Sequence, residues 1–137
     1  MAGTVTRGGT FDLADCPDAA PALAAVGALG CEPVRIVGAA HLRHKESDRI
    51  AVLVDMLRAS GVSAEAFDDG LQVVGPLSAA TGDPVALTVR ADHRMAMAGA
   101  LLGLRRSVLI DDAHCVAKSF PGFFEQWPGA IEWGTEN

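Results

Sequence analysis

Apolar and polar positions alternate along this chain with two different periods. Ile50, Leu53, Val54 and Leu57 recur at i, i+3, i+4 and i+7, the spacing of one helix face, and Gly61 stands where a left-handed residue would close that helix. Residues 17–29, ended by Gly30, and residues 94–104 are apolar almost all round, which predicts two helices buried on every side. Short runs rich in Val, Ile and Leu predict strands at 10–13, Val34–Val37, Ser63–Phe67, 71–74, 85–89 and Val108–Ile110. Asp68-Asp69-Gly70 reads as a hairpin loop, and Pro76, Gly82 and Pro84 mark a longer one. Residues 120–127 read as a short amphipathic helix.

The predicted order is β-α-β-α-β-β, followed by β-α-β-α. The pattern repeats in the residues too: Asp18 opens the first apolar helix and Asp92 the second. His41-x3-Lys45 follows the first inner strand and His114-x3-Lys118 the second. Asp18 and Lys45 are 27 residues apart, Asp92 and Lys118 26, so both lysines of the chain fall at equivalent positions. The expected fold is α/β of the α+β type: repeated βαβαββ units, with sheets around buried helices and the second unit incomplete. The expected division is a linker or frayed start at 1–9, a first unit at 10–76 and a truncated second unit at 77–137. A sheet without its closing strands leaves an open edge, so another part of a longer polypeptide is expected to complete it.

Composition narrows the class. The chain has 137 residues, the length of one ordinary domain; half are hydrophobic and a fifth charged, enough to bury a core. No apolar run is long enough to span a bilayer, and the start has neither a basic nor an apolar signal region. Cys16, Cys31 and Cys115 are odd in number and widely spaced, which reads as reduced thiols in a cytoplasmic protein. A net charge of −6 argues against nucleic acid as the main partner. Yet Arg43, Lys45, Arg49, Arg90, Arg94 and Lys118 are gathered near the histidines, as in a protein that handles a small anion.

Charge placement sharpens this. Glu46, Ser47 and Asp48 suit a helix N-terminus, but Arg49 does not, because it faces the positive end of the helix dipole. Asp92 is a good N-cap, whereas Arg94 in the same turn repeats the anomaly. A shared bound anion would resolve both; ion pairs within the protein would as well. Asp18 opens a helix with no other charge, either as its cap or as an acceptor or base for a substrate hydroxyl. Glu46 could act as acid or base, although neighbouring Lys45 favours its ionised form. His41, His44, His93, His114 and Cys115 fit no closed zinc spacing, so no metal is expected. Nothing nearby in sequence marks Cys115 as a nucleophile.

Three stretches in order, R-x-K-E-S-D-R (Arg43 to Arg49), D-H-R-M-A-M-A (Asp92 to Ala98) and C-V-A-K-S-F-P (Cys115 to Pro121), resemble signature stretches of the EPSP synthase family. Pro17-Asp18-Ala19-Ala20 resembles a fourth, and the similarity runs from about Thr10 to Trp127. The resemblance implies the enolpyruvyl transferase α-β prism, two domains of three βαβαββ units each, with this chain as the last two units of one domain. It implies enolpyruvyl transfer from phosphoenolpyruvate to the 5-hydroxyl of shikimate 3-phosphate, without metal or organic cofactor. By position, Arg49, Arg94 and Lys118 would grip phosphoenolpyruvate. Asp18, Lys45 and His41 would contact shikimate 3-phosphate, and Asp18, Glu46 and His93 would serve catalysis. His44 stands where the family usually has an apolar residue, and His41 replaces an asparagine seen in many members. The family's other domain supplies further cations that are not here, so a complementary portion is an expected partner and this chain alone is expected to be inactive. Two rival readings are a stand-alone anion-binding or structural module of the same fold and the related UDP-N-acetylglucosamine enolpyruvyl transferase, whose second-unit motif does not read DHRMAM.

Overall fold

The computed structural model describes residues 7–79 and 82–127. The linker expected at 1–9 falls largely outside the described residues. Strands β1 (Gly9–Asp12), β2 (Val34–Val37), β3 (Ser63–Phe67) and β4 (Gly70–Val74) form one sheet in the order β1-β2-β4-β3. β1 and β2 are parallel, while β4 runs antiparallel to both β2 and β3. Strands β5 (Val85–Leu87) and β6 (Val108–Ile110) pair in parallel as a second, two-stranded sheet. Helices α1 (Ala20–Leu29), α2 (Arg49–Ala59) and α3 (His93–Leu102) complete the α/β fold.

The strand register places Val34 opposite Val73 and Ile36 opposite Leu71, and all four are buried. They form the inner face of the first sheet, on which α1 and α2 pack. Helix α3 packs on α1 and against β6. Helix α1 is therefore covered on both sides, which is the physical reason for its missing polar face. Ala20, Ala24, Ala25 and Ala28 are wholly buried there. A Cβ on Gly27 would lie 3.0 Å from Val34 and Val73 side-chain atoms, so this position lets the helix sit close to the sheet. Gly99 of α3 does the same beside Leu87 and Ile110, at 3.2 and 3.3 Å. In α2, Ile50, Leu53 and Leu57 are buried with Met56, whereas Asp55 and Arg58 are exposed. Each such large side chain contributes about 1.5–3 kcal/mol on burial, which outweighs the intrinsic propensity of an 11-residue helix.

Several expected boundaries move. The first apolar segment begins as a 3-10 turn, Pro17–Ala19, so Asp18 lies ahead of α1 and makes no side-chain cap bond. Helix α3 ends at Leu102, two residues earlier than expected. β5 stops at Leu87; Val89 N–H instead donates to Asp111 Oδ1 at 3.0 Å, and Arg90 and Ala91 follow in the left-handed region with φ of 55° and 54°. The amphipathic helix expected at 120–127 is a run of turns containing only the 3-10 segment Phe124–Gln126, because Pro121 is followed by Gly122 at φ 77°. Its apolar spacing serves ring packing instead: Phe123 meets Phe120, Phe124 and Trp127 with centroids 5.0–5.6 Å apart. Gly61 does close α2 in the left-handed region, at φ 87°.

Left-handed backbone is costly for a residue with a Cβ. Replacing Ala91 by glycine is expected to stabilise the protein by about 0.5–1 kcal/mol, raising Tm by roughly 2–5 °C in thermal unfolding. An unchanged or lower Tm would show that the left-handed turn carries no strain.

Candidate active site

The hairpin tip builds the first part of the site. Gly38 N–H donates to Asp69 Oδ2 at 3.1 Å and Ala39 N–H to the Asp69 carbonyl at 2.7 Å. Arg43 donates to the carbonyls of Phe67 at 2.6 Å and Asp68 at 3.3 Å and pairs with Asp48 at 3.1 Å. The 3-10 turn Ala40–His44 is thereby fixed to the β3–β4 turn, and Lys45 and Glu46 extend from its end. Asp48 caps α2 by accepting from Ala51 N–H at 3.1 Å. The equivalent turn of the second unit, Ala113–Lys118, follows β6 and delivers Lys118.

Asp92 is the hinge pin of the cluster. It caps α3, accepting from Arg94 N–H at 3.0 Å, and is fully buried. Its carboxylate also accepts from Ser47 Oγ at 2.9 Å and from Arg49 Nε and Nη2 at 2.8 and 3.3 Å. Burial pushes the Asp92 carboxyl up, but the bonds from Arg49 and Ser47 outweigh it and hold the group below its ordinary value. Arg49, only 2 % exposed, uses its remaining edges on Asp18 Oδ1 at 3.0 Å and Glu46 Oε2 at 2.7 Å. The anomaly of a cation at the start of α2 is thus resolved by three carboxylates of the chain itself. An anion is not required to offset Arg49: of the two accounts open from helix-end electrostatics, the internal ion pairs are the ones formed.

The other two cations are held more loosely. Arg94 reaches Asp18 Oδ2 and the Asp18 carbonyl, each at 3.4 Å, and is 40 % exposed. Lys118 Nζ donates to Glu46 Oε1 at 3.0 Å and is 62 % exposed. The hydrogen bond from Lys118 is the main reason the Glu46 carboxyl is held down to about 2, with Arg49 adding to it. Three cations, Arg49, Arg94 and Lys118, therefore meet three carboxylates, Asp18, Glu46 and Asp92, in one connected cluster.

Asp18, Glu46, Arg49, Arg94 and Lys118 are brought together; the remaining sequence-derived candidates stand apart from these pairs. His93 is buried in the first turn of α3, its Nδ1 without a hydrogen-bond partner and 4.0 Å from Asp92 Oδ1. His41 and Lys45 are exposed on the turn before Glu46, and neither makes a side-chain hydrogen bond or ion pair among the described residues. Cys115 donates to the Asp112 carbonyl at 2.9 Å, and burial pushes its thiol up to about 11, which suppresses the thiolate a nucleophile needs. Among the described residues no three His, Cys, Asp or Glu side chains are grouped to hold a metal ion. Ser47 and Asp69 carry no local signal of a role at the site, and Arg43, one of the gathered cations, holds the turn instead of facing an anion. The sequence marks Asp92 only as a cap, because the guanidinium its carboxylate pairs with, that of Arg49, lies 43 residues away in the chain.

A mixed sheet over buried helices, repeated with cations at the heads of two of them, defines an α/β fold of the enolpyruvyl transferase kind. The model of the EPSP synthase family (3-phosphoshikimate 1-carboxyvinyltransferase) matches residues 2–127, and this chain belongs to that family. It is 44 % identical over 121 residues to the 3-phosphoshikimate 1-carboxyvinyltransferase of Methanoculleus marisnigri, covering 87 % of this chain and 28 % of that protein. Its identity to the enzyme of the same name from Campylobacter jejuni subsp. doylei is 44 % over 108 residues, 79 % of this chain and 24 % of the other. An EPSP synthase structure from Acinetobacter baumannii superposes with a TM-score of 0.67 at 37 % identity, over 77 % of this chain and 25 % of that one. The chain thus spans about a quarter of the length of the relatives it matches. Among the described residues, no helix is long and apolar enough to cross a membrane.

Proposed function

We propose that this chain supplies one wall of an active site that transfers the enolpyruvyl group of phosphoenolpyruvate to the 5-hydroxyl of shikimate 3-phosphate, releasing phosphate. The observation that carries this is the convergence of Arg49, Arg94 and Lys118 with Asp18 and Glu46, drawn from four separate stretches of chain. Arg94, held by two long contacts to Asp18, and Lys118, held by Glu46 alone, take the phosphate and carboxylate of phosphoenolpyruvate, while Arg49 is the fixed charge behind them. Asp18 accepts the proton of the attacking hydroxyl, which adds to C2 as C3 is protonated; Glu46 serves that proton transfer. The tetrahedral adduct then expels phosphate into the cationic cluster. Lys45 and His41, exposed on the adjoining turn, face shikimate 3-phosphate, and His93 supports the head of α3.

The two units form part of one domain, and the rest of a longer protein, or a complementary chain, contributes the other wall and a strand for the second sheet. Phosphate release from the two substrates tests this: the chain alone is expected to be silent, and addition of the complementary portion to restore turnover. Turnover by the isolated chain would overturn the half-site reading. A non-catalytic structural module of the same fold is the second reading, favoured by the internal charge balance of the cluster, and it predicts no phosphate release under either condition.

A further inference from the structure

Arg90 belongs to the cations gathered in the sequence, yet it takes no part in the cluster of Arg49, Arg94 and Lys118. It lies on a groove that begins beside Glu46 and Ser47 and runs between α2 and β5, made of two hollows of about 380 and 200 Å³. Val52, Asp55 and Arg90 line both hollows, which are therefore continuous at these three residues. Asp55 and Arg90 are exposed at that junction, and neither has a hydrogen-bond or ion-pair partner among the described residues. The other carboxylates of the groove are engaged on both oxygens: Asp48 by Arg43 and the Ala51 N–H, Glu46 by Arg49 and Lys118. One free carboxylate and one free guanidinium thus share one opening.

Beyond the junction the smaller hollow is apolar. Its floor is the buried Val52, Met56 and Leu87, and its rim the exposed Ala59 and Ala86. Its strand wall also offers free backbone. Val85 and Val89 donate toward β6, to the Ser107 carbonyl and to Asp111 Oδ1, and the Leu87 carbonyl accepts from Asp111 N–H. The peptide groups of Ala86 and Thr88 therefore turn the other way, to the edge of β5 that pairs with no strand among the described residues. A simple anion would satisfy Arg90 alone and a simple cation Asp55 alone; a ligand that satisfies both carries both charges on adjacent atoms. We infer that the groove binds a free α-amino acid with a branched aliphatic side chain. Its carboxylate pairs with Arg90, its ammonium with Asp55, and its side chain enters the apolar hollow. The two charged groups of such a ligand keep spare donors and acceptors for the Ala86 and Thr88 peptides. Together the hollows fall within the roughly 300–1,000 Å³ of small-molecule sites. None of this depends on the enolpyruvyl transfer proposed above.

NMR titration of the full chain with L-leucine tests the site. The amide resonances of residues 52–56 and 86–90 are expected to shift together and to saturate, with a midpoint of roughly 1 mM. Asp55→Asn and Arg90→Gln alter exposed side chains without partners, so both variants are expected to keep the wild-type amide spectrum and to weaken binding about tenfold each. Ala86→Trp, which fills the hollow from its rim, is expected to weaken it at least as much. Two probes separate the charges from the apolar contact: 4-methylpentanoate lacks the ammonium and 3-methylbutylamine lacks the carboxylate. Each is expected to bind about tenfold more weakly than L-leucine. No saturable shift with L-leucine up to about 50 mM would overturn the site. Undiminished affinity in either charge variant, or equal binding of either probe, would overturn the assignment of an amino acid to it.

Discussion

Asp92→Ala is expected to cost about 3–5 kcal/mol of stability, a large share of what a domain of this size possesses. The reason is what remains, not what is lost. Arg49 stays 2 % exposed with its charge compensated only by Asp18 and Glu46, while Ser47 Oγ and the Arg94 N–H lose their acceptor. Asp92→Asn keeps the size and an acceptor oxygen but not the charge, so it should cost roughly half as much. Urea unfolding of the three proteins measures this; a loss below about 1 kcal/mol for Asp92→Ala would mean that Arg49 relaxes to solvent. The pH dependence has a definite sign. Because the folded-state carboxyl lies below its ordinary value of 3.8, its contribution is complete above that pH and disappears as pH falls through the depressed value. Asp92→Asn should lack this part of the acid limb.

In the complete enzyme, Arg94→Ala is expected to raise KM for phosphoenolpyruvate about 100-fold, equivalent to about 2.7 kcal/mol, while moving Tm by no more than a few degrees. Arg94 is 40 % exposed and its two contacts to Asp18 are long, so folding depends little on it and a ligand can recruit it. Arg49→Ala would instead damage binding and stability together, since the side chain joins α2 to Asp92. Steady-state kinetics with denaturation curves separate the two behaviours. An unchanged KM in Arg94→Ala would remove this residue from the anion clamp and weaken the proposed function accordingly.

How much of this was legible in the sequence follows from the range of each signal. Helix α2 could be read because one face is buried and the other exposed, which writes a period into Ile50, Leu53, Val54 and Leu57. The buried helices could be read from the absence of any period. The 120–127 segment misled for a local reason: its aromatic spacing suits a helix, but Pro121-Gly122 breaks the backbone and the rings pack on one another. At the site, Arg49 and Arg94 could be singled out because each stands at the wrong end of a helix dipole. Their compensation could not, since Asp92 lies 43 residues from Arg49 in sequence and meets it only after α3 docks. Sequence therefore located the unusual charges and left open whether their counter-ions are internal or bound.

The clasp between Asp69 and the Gly38–Ala39 backbone, with Arg43 gripping the neighbouring carbonyls, has an engineering consequence. Surface loop ends are ordinarily the safest places to lengthen a protein or insert a reporter. Here the Asp68–Asp69 tip is the abutment on which Lys45 and Glu46 are aligned, so even a small graft there would misalign chemistry that it never touches.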